Sequence, residues 1–129
     1  MARVAWVILS EENTGGNELI IRNPITGIVL NTINEKTSFI LTFSLMELTK
    51  SDNYKIDIEI GENEGDVLIN MSSDLSFHYK KPFDIFTSEI SVQDFTFAKE
   101  GTHYVSLTID ETHTQKTFFK VRIEEDKNE

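Results

Sequence analysis

Tyr54-Lys55-Ile56-Asp57-Ile58-Glu59-Ile60 alternates apolar and polar residues without a break. Successive side chains of a strand point to opposite faces, so Tyr54, Ile56, Ile58 and Ile60 share one face while Lys55, Asp57 and Glu59 share the other. A helix would scatter the four apolar residues around its circumference, and the segment therefore reads as a half-buried strand. Just upstream, Thr37 to Met46 places Phe39, Leu41, Phe43 and Leu45 on one face and Ile40, Thr42, Ser44 and Met46 on the other. Lys50-Ser51-Asp52-Asn53 lies between the two runs. Its short polar side chains satisfy local backbone groups, which predicts a turn and hence a hairpin.

The pattern continues outward in both directions. Gly61-Glu62-Asn63-Glu64-Gly65 reads as a turn and Asp66 to Met71 as the next strand. Ile90-Ser91-Val92 and Phe95-Thr96-Phe97 alternate out of phase, which puts a bulge or bend at Gln93-Asp94. Lys99-Glu100-Gly101 makes a turn, Val105, Leu107 and Ile109 mark the inward face of a strand, and Asp110 to His113 forms a hairpin tip. Thr117, Phe119, Val121 and Ile123 share one face of a final strand, and the charged tail from Glu124 to Glu129 is expected to fray.

Toward the N-terminus, the apolar run ending at Leu9 is too short for a signal peptide and no small-residue cleavage site follows it, so it reads as a buried first strand. Asn17 to Arg22 reads as another, ended at Asn23-Pro24 because proline cannot donate to a ladder. Ile25 to Ile33 fits a strand or a short helical turn. Ser72 to Ser88, with Lys80-Lys81-Pro82 inside it, is the longest irregular segment. Many short strands with turns between them, and no amphipathic helix, predict an all-β fold. The expected form is an immunoglobulin-like two-sheet antiparallel sandwich of seven to nine strands, as a single domain over residues 1–129.

Composition narrows the function classes. The 129 residues are 39% hydrophobic and include nine Phe, three Tyr and one Trp, bulky rings that suit a sandwich interior. Cysteine is absent, which excludes disulfides, thiolate zinc sites and a cysteine nucleophile, and favours a reducing, cytoplasmic setting. The net charge is −10, from 22 acidic and 12 basic residues. Phosphate backbones and anionic lipid both call for basic surface, so neither direct nucleic-acid binding nor membrane adhesion is expected. No apolar run is long enough to span a bilayer.

Phe95 to Asp110 resembles the penultimate hairpin arm of many immunoglobulin-like bacterial and phage domains, where a Gly-x-x-Tyr segment, here Gly101 to Tyr104, precedes an alternating strand. Residues 3–23 resemble the opening of a group of small bacterial β-sandwich proteins of unknown function. The resemblance implies the fold and carries no functional residue. The glycine permits the tight turn, and a tyrosine at a sheet corner can bury its ring while its hydroxyl reaches backbone.

Asp57, Glu59, Glu62, Glu64 and Asp66 crowd one strand end and its turn, with Asn63 among them. Several oxygen ligands could hold calcium, but the spacing does not match the helix-loop-helix calcium pattern and Asp57 and Glu59 are the outward residues of a strand. His78, His103 and His113 are too far apart along the predicted hairpin for a shared zinc site, which needs convergent ligands. No Gly-x-Ser-x-Gly elbow exists, and Gly15-Gly16 is followed by Asn17 where a phosphate loop would carry Lys and Ser or Thr. No catalytic residue, metal ligand or cofactor is assigned.

The stretch from Leu75 to Phe86 gathers Phe77, Tyr79, Phe83 and Phe86 around Lys80-Lys81, a candidate partner-binding loop. The plainer alternative, that the rings plug the open edge between sheets, is preferred because apolar and polar residues alternate poorly there.

The sequence thus points to a non-enzymatic protein-interaction or structural module of bacterial or phage origin, with homo-oligomerisation among its modes. An acidic inhibitor that occupies the basic site of a nucleic-acid-binding protein is the alternative that the charge suggests. A carbohydrate-binding sandwich is the third. It would display exposed aromatic rings on one sheet face, and Trp6 reads as buried in a strand.

Overall fold

The computed structural model describes residues 2–11, 26–48, 53–76 and 85–124. These form eight strands: β1 (Arg3–Ser10), β2 (Gly27–Leu30), β3 (Thr37–Met46), β4 (Asn53–Glu62), β5 (Val67–Ser76), β6 (Phe86–Phe95), β7 (Gly101–Ile109) and β8 (His113–Ile123). They make a three-stranded sheet in the order β1-β3-β6 and a five-stranded sheet in the order β2-β8-β7-β4-β5. This is the expected all-β, immunoglobulin-like sandwich. Every pairing is antiparallel except that of β2 with β8, which run parallel with Ile28 opposite Val121 and Leu30 opposite Ile123.

The alternation read from the sequence sets the facing of each strand. Ile56, Ile58 and Ile60 of β4 pair in register with Ile109, Leu107 and Val105 of β7, and all six are buried. Phe39, Leu41, Phe43 and Leu45 of β3 supply the opposing layer at 3% exposure or less. At one end of the core Phe39, Phe95, Phe97, His103 and Phe119 pack ring against ring, and Phe97 touches the other four. Phe97 lies past the end of β6 yet is fully buried, so its ring anchors the connection to β7.

Two sequence expectations need correction. The hairpin predicted around Lys50 to Asn53 does not form: β3 belongs to the three-stranded sheet and β4 to the five-stranded one. The second face of β3 explains why, because Ile40, Thr42 and Ser44 are buried as well, between β1 on one side and β6 on the other. A strand with both neighbours occupied has no edge left for β4. The irregular stretch expected over Ser72 to Ser88 is also shorter than predicted, since β5 runs to Ser76 and β6 begins at Phe86.

Other expectations hold. The phase break at Gln93-Asp94 is a bulge: Thr37 pairs with Phe95 and Phe39 with Val92, so β6 carries one extra residue. Asp94 there has φ 54°, and its N–H donates to the Ser38 hydroxyl oxygen at 3.1 Å. The three-residue β7–β8 tip turns on Asp110 and Glu111, both with positive φ, and the Thr112 N–H donates to the Ile109 carbonyl at 3.0 Å. Gly101 opens β7 at φ +118°, a conformation that side chains avoid. Residues 27–30 resolve the open choice as a strand. The strand predicted over Asn17 to Arg22 lies outside the described residues.

The two sheets are fastened along one side, where β1 crosses the start of β8. The Thr117 hydroxyl donates to the Val7 carbonyl at 2.6 Å, and the Val4 N–H donates to His113 Nδ1 at 3.1 Å. These side chains occupy backbone groups on the edge of β1 that faces away from β3.

Candidate functional site

The outward register of β8 was not singled out from the sequence, and it is the feature that most distinguishes the surface. Thr114, Lys116, Phe118, Lys120 and Arg122 alternate with the inward residues His113 to Ile123 and are all exposed. A large apolar ring standing among three cations is unusual in a chain of net charge −10. Phe118 is 53% exposed. Beside β8, the outward residue of β2 is Val29, which pairs with Arg122 and is also exposed.

The neighbouring strands build a polar floor next to this ridge. Tyr104 pairs with Phe118 across β7 and β8. Its hydroxyl donates to Glu59 Oε2 at 2.8 Å, and Lys116 Nζ stands 4.5 Å from its ring centroid. Beneath the ring is Gly61, where an added Cβ would fall 2.8 Å from the phenol oxygen, so only glycine lets the ring lie flat on the sheet. Burial and the Glu59 carboxylate together push the Tyr104 hydroxyl above the ordinary tyrosine pKa. The expectation that this hydroxyl would reach backbone is thereby corrected, because the outward register of Tyr104 puts the carboxylate of the adjacent strand nearer.

Further across the face, the Asn70 amide donates to Glu59 Oε1 at 3.4 Å and the Ser72 hydroxyl donates to Asp57. Toward the far end of β8, an open hollow of about 550 Å³ is lined by Thr102, Lys120 and Arg122, with Glu100 at its rim. The face is therefore graded: basic and aromatic along β8, hydroxyl-rich along β7, acidic along β4.

The sequence-predicted candidates fare differently. The acids of β4 and its turn are not drawn together but spent separately. Asp57 and Glu59 serve the contacts just described, while Glu62 Oε1 accepts the Asp66 N–H at 3.1 Å and lies 4.0 Å from Lys99 Nζ. Among the described residues no three His, Asp or Glu converge as metal ligands would. His103 is buried in the core, where its Nδ1 bonds the Gly101 carbonyl at 2.9 Å, while His113 sits at the β1–β8 seam. His78 and the loop residues Phe77, Tyr79, Lys80, Lys81 and Phe83 lie outside the described residues. Phe86, the last of that group, opens β6 and packs half-buried against the core.

Among the described residues the acidic side chains do not gather on one face. Glu89 projects from the three-stranded sheet, Asp57 and Glu59 from the five-stranded one, and Glu64, Glu100 and Glu111 from connections. An inhibitor that imitates an acidic ligand needs them clustered.

Comparison with known proteins places the fold alone. No protein-family profile and no curated protein sequence matches the chain. Among solved structures, the C-terminal domain of Wzt is similar, with a TM-score of 0.61 and 10% identity over 99% of this chain and 81% of that domain. A β-galactosidase-like protein of Bacteroides fragilis matches 91% of this chain with 7% identity and a TM-score of 0.54, but only 17% of its own length takes part. The β-glucosidase EmGH1 of Erythrobacter marinus matches 74% of this chain with 9% identity and a TM-score of 0.52. The chain spans 14% of that enzyme.

Proposed function

We propose that this chain is a non-enzymatic interaction module that engages a protein partner through the outer face of its five-stranded sheet, centred on Phe118. The carrying observation is the exposed Phe118 ring in the same outward row of β8 as Lys116, Lys120 and Arg122, in an otherwise acidic chain. Aromatic rings with neighbouring cations concentrate binding energy, and a rigid sheet presents them with little ordering cost on association. The partner that fits carries an apolar contact flanked by carboxylates. The likeness to the C-terminal domain of Wzt supports the reading in one respect, since that domain is itself one part of a larger protein.

Capture from a lysate of the source cell tests this, with wild-type protein and a Phe118→Ser, Lys120→Glu variant immobilised side by side. The reading predicts proteins retained by the wild type, lost from the variant and released by added salt. Identical retention by both would overturn it.

A second reading, carbohydrate binding, is favoured by one observation: Phe118 pairs with Tyr104, and the Tyr104 hydroxyl, the Glu59 carboxylate and the Asn70 amide continue from it as a bonded row across the same face. An apolar platform beside a few oriented polar groups is the make-up of a small-ligand site. Binding on a glycan array that vanishes with Phe118→Ser, without protein capture, would replace the first reading with this one.

A further inference from the structure

We propose that the edge of β5 that no described strand pairs with is a self-association site, on which a second copy of this chain pairs its own β5 antiparallel about a two-fold axis through Ser72. The strand is ten residues long and β4 is the only described element packed against it. Ser73 is exposed although it pairs with the inward residue Ile56, so the three-stranded sheet does not cover this part of β5. Where the rim of that sheet comes nearest, an open hollow of about 400 Å³ separates Leu68 and Ile69 from Phe95.

A long edge strand invites another strand unless it carries lysine, proline or a bulge in mid-course. From Leu68 to Leu75 β5 has no lysine and no proline, its only charge is Asp74, and its pairing with β4 is continuous from Asn53 to Ile60. The other long edges are treated differently. β1 is covered by side chains of β8, and β6 is bulged at Gln93-Asp94.

The sequence of β5 is also complementary to itself. With Ser72 on the axis, Asp74 faces Asn70 of the second copy on the outer side, which keeps the two carboxylates apart. On the inner side Ile69 faces Leu75, both half-buried in the single copy. Shifting the axis to Met71 would set Asp74 against Leu68 and lose both matches. Opposite residues of an antiparallel pair have Cβ atoms about 4.5–5.5 Å apart, so the two Ser72 side chains would meet.

Two measurements on the full chain test this. Sedimentation equilibrium over a wide concentration range should show the mass rising from 14.8 kDa toward twice that value. Ser73→Lys, an edge lysine at an exposed position, should hold the protein monomeric with its circular dichroism unchanged. Because the chain has no cysteine, Ser72→Cys offers a clean second readout. Under mild oxidation it should form a covalent dimer much faster than Thr114→Cys, placed on the exposed face of β8. A monomer mass at every concentration, a dimer indifferent to Ser73→Lys, or equal crosslinking by the two cysteine variants would each overturn the proposal.

Discussion

Thr117→Val should reveal how much the β1–β8 seam contributes to holding the sheets together. Valine reproduces the shape of threonine and removes one thing, the hydroxyl that donates to the Val7 carbonyl at 2.6 Å. That bond ties β1 of one sheet to β8 of the other. Removing one partner of a half-buried bond costs about 1–2 kcal/mol, the net bond plus part of the desolvation penalty on the orphaned oxygen. For a domain of this size each kcal/mol moves Tm by roughly 3–5 °C. Thr117→Ser supplies the control, because it keeps the hydroxyl and gives up a half-buried methyl worth about 0.5 kcal/mol. Urea denaturation read by Trp6 fluorescence should order the proteins wild type, serine, valine, with unchanged slope. A valine variant as stable as wild type, or a serine variant that falls just as far, would refute the seam.

Four more outcomes follow from the same geometry. Ile58→Ala should cost about 2–5 kcal/mol in chemical denaturation, since the side chain is 3% exposed between Met71 and Leu107. Asp57→Ala, one residue away on the outer face, should stay within about 1 kcal/mol. Gly61→Ala should destabilise by about 1–2 kcal/mol, because its methyl must lift the Tyr104 ring off the sheet; the penalty should shrink in a Tyr104→Ala background, as a double-mutant cycle would measure. Tyr104 should ionise later than a free tyrosine in an ultraviolet titration. Its folded pKa is raised, so the stability it confers is intact below the unfolded tyrosine pKa of about 10 and is lost as pH rises through the folded value. Tyr104→Phe should remove that late step.

How much of this was legible depended on what surrounds each strand. β4 and β8 alternate cleanly because one face is core and the other is largely open to solvent, while β7 shows the same period because its outward residues Tyr104 and Ser106, though buried, carry hydroxyls. The Gln93-Asp94 bulge was legible as a break in that period. The neighbours of β3 were not, because Lys50 to Asn53 has the same turn-forming chemistry whether the chain folds back or crosses to the other sheet. The clue lay in Ile40 and Thr42, too apolar a set for a face left open. β5 was read short for the opposite reason: Ser72, Ser73 and Asp74 are exposed on both sides of an edge strand, and a strand without a buried face looks like a loop. The β8 ridge is masked by the same alternation that reveals the strand, since Thr117, Phe119 and Val121 alone suffice to define its inward face. An apolar ring at the outward position 118 was the signal.

Site-specific photocrosslinking tests the central claim, that partners meet the outer face of the five-stranded sheet. A benzophenone amino acid would replace Phe118 in one variant and Glu89, on the outer face of the other sheet, in a second, each irradiated in the source cell. The account predicts a discrete adduct with another protein from position 118 and none from position 89. Adducts of equal yield from both positions, or from position 89 alone, would contradict it.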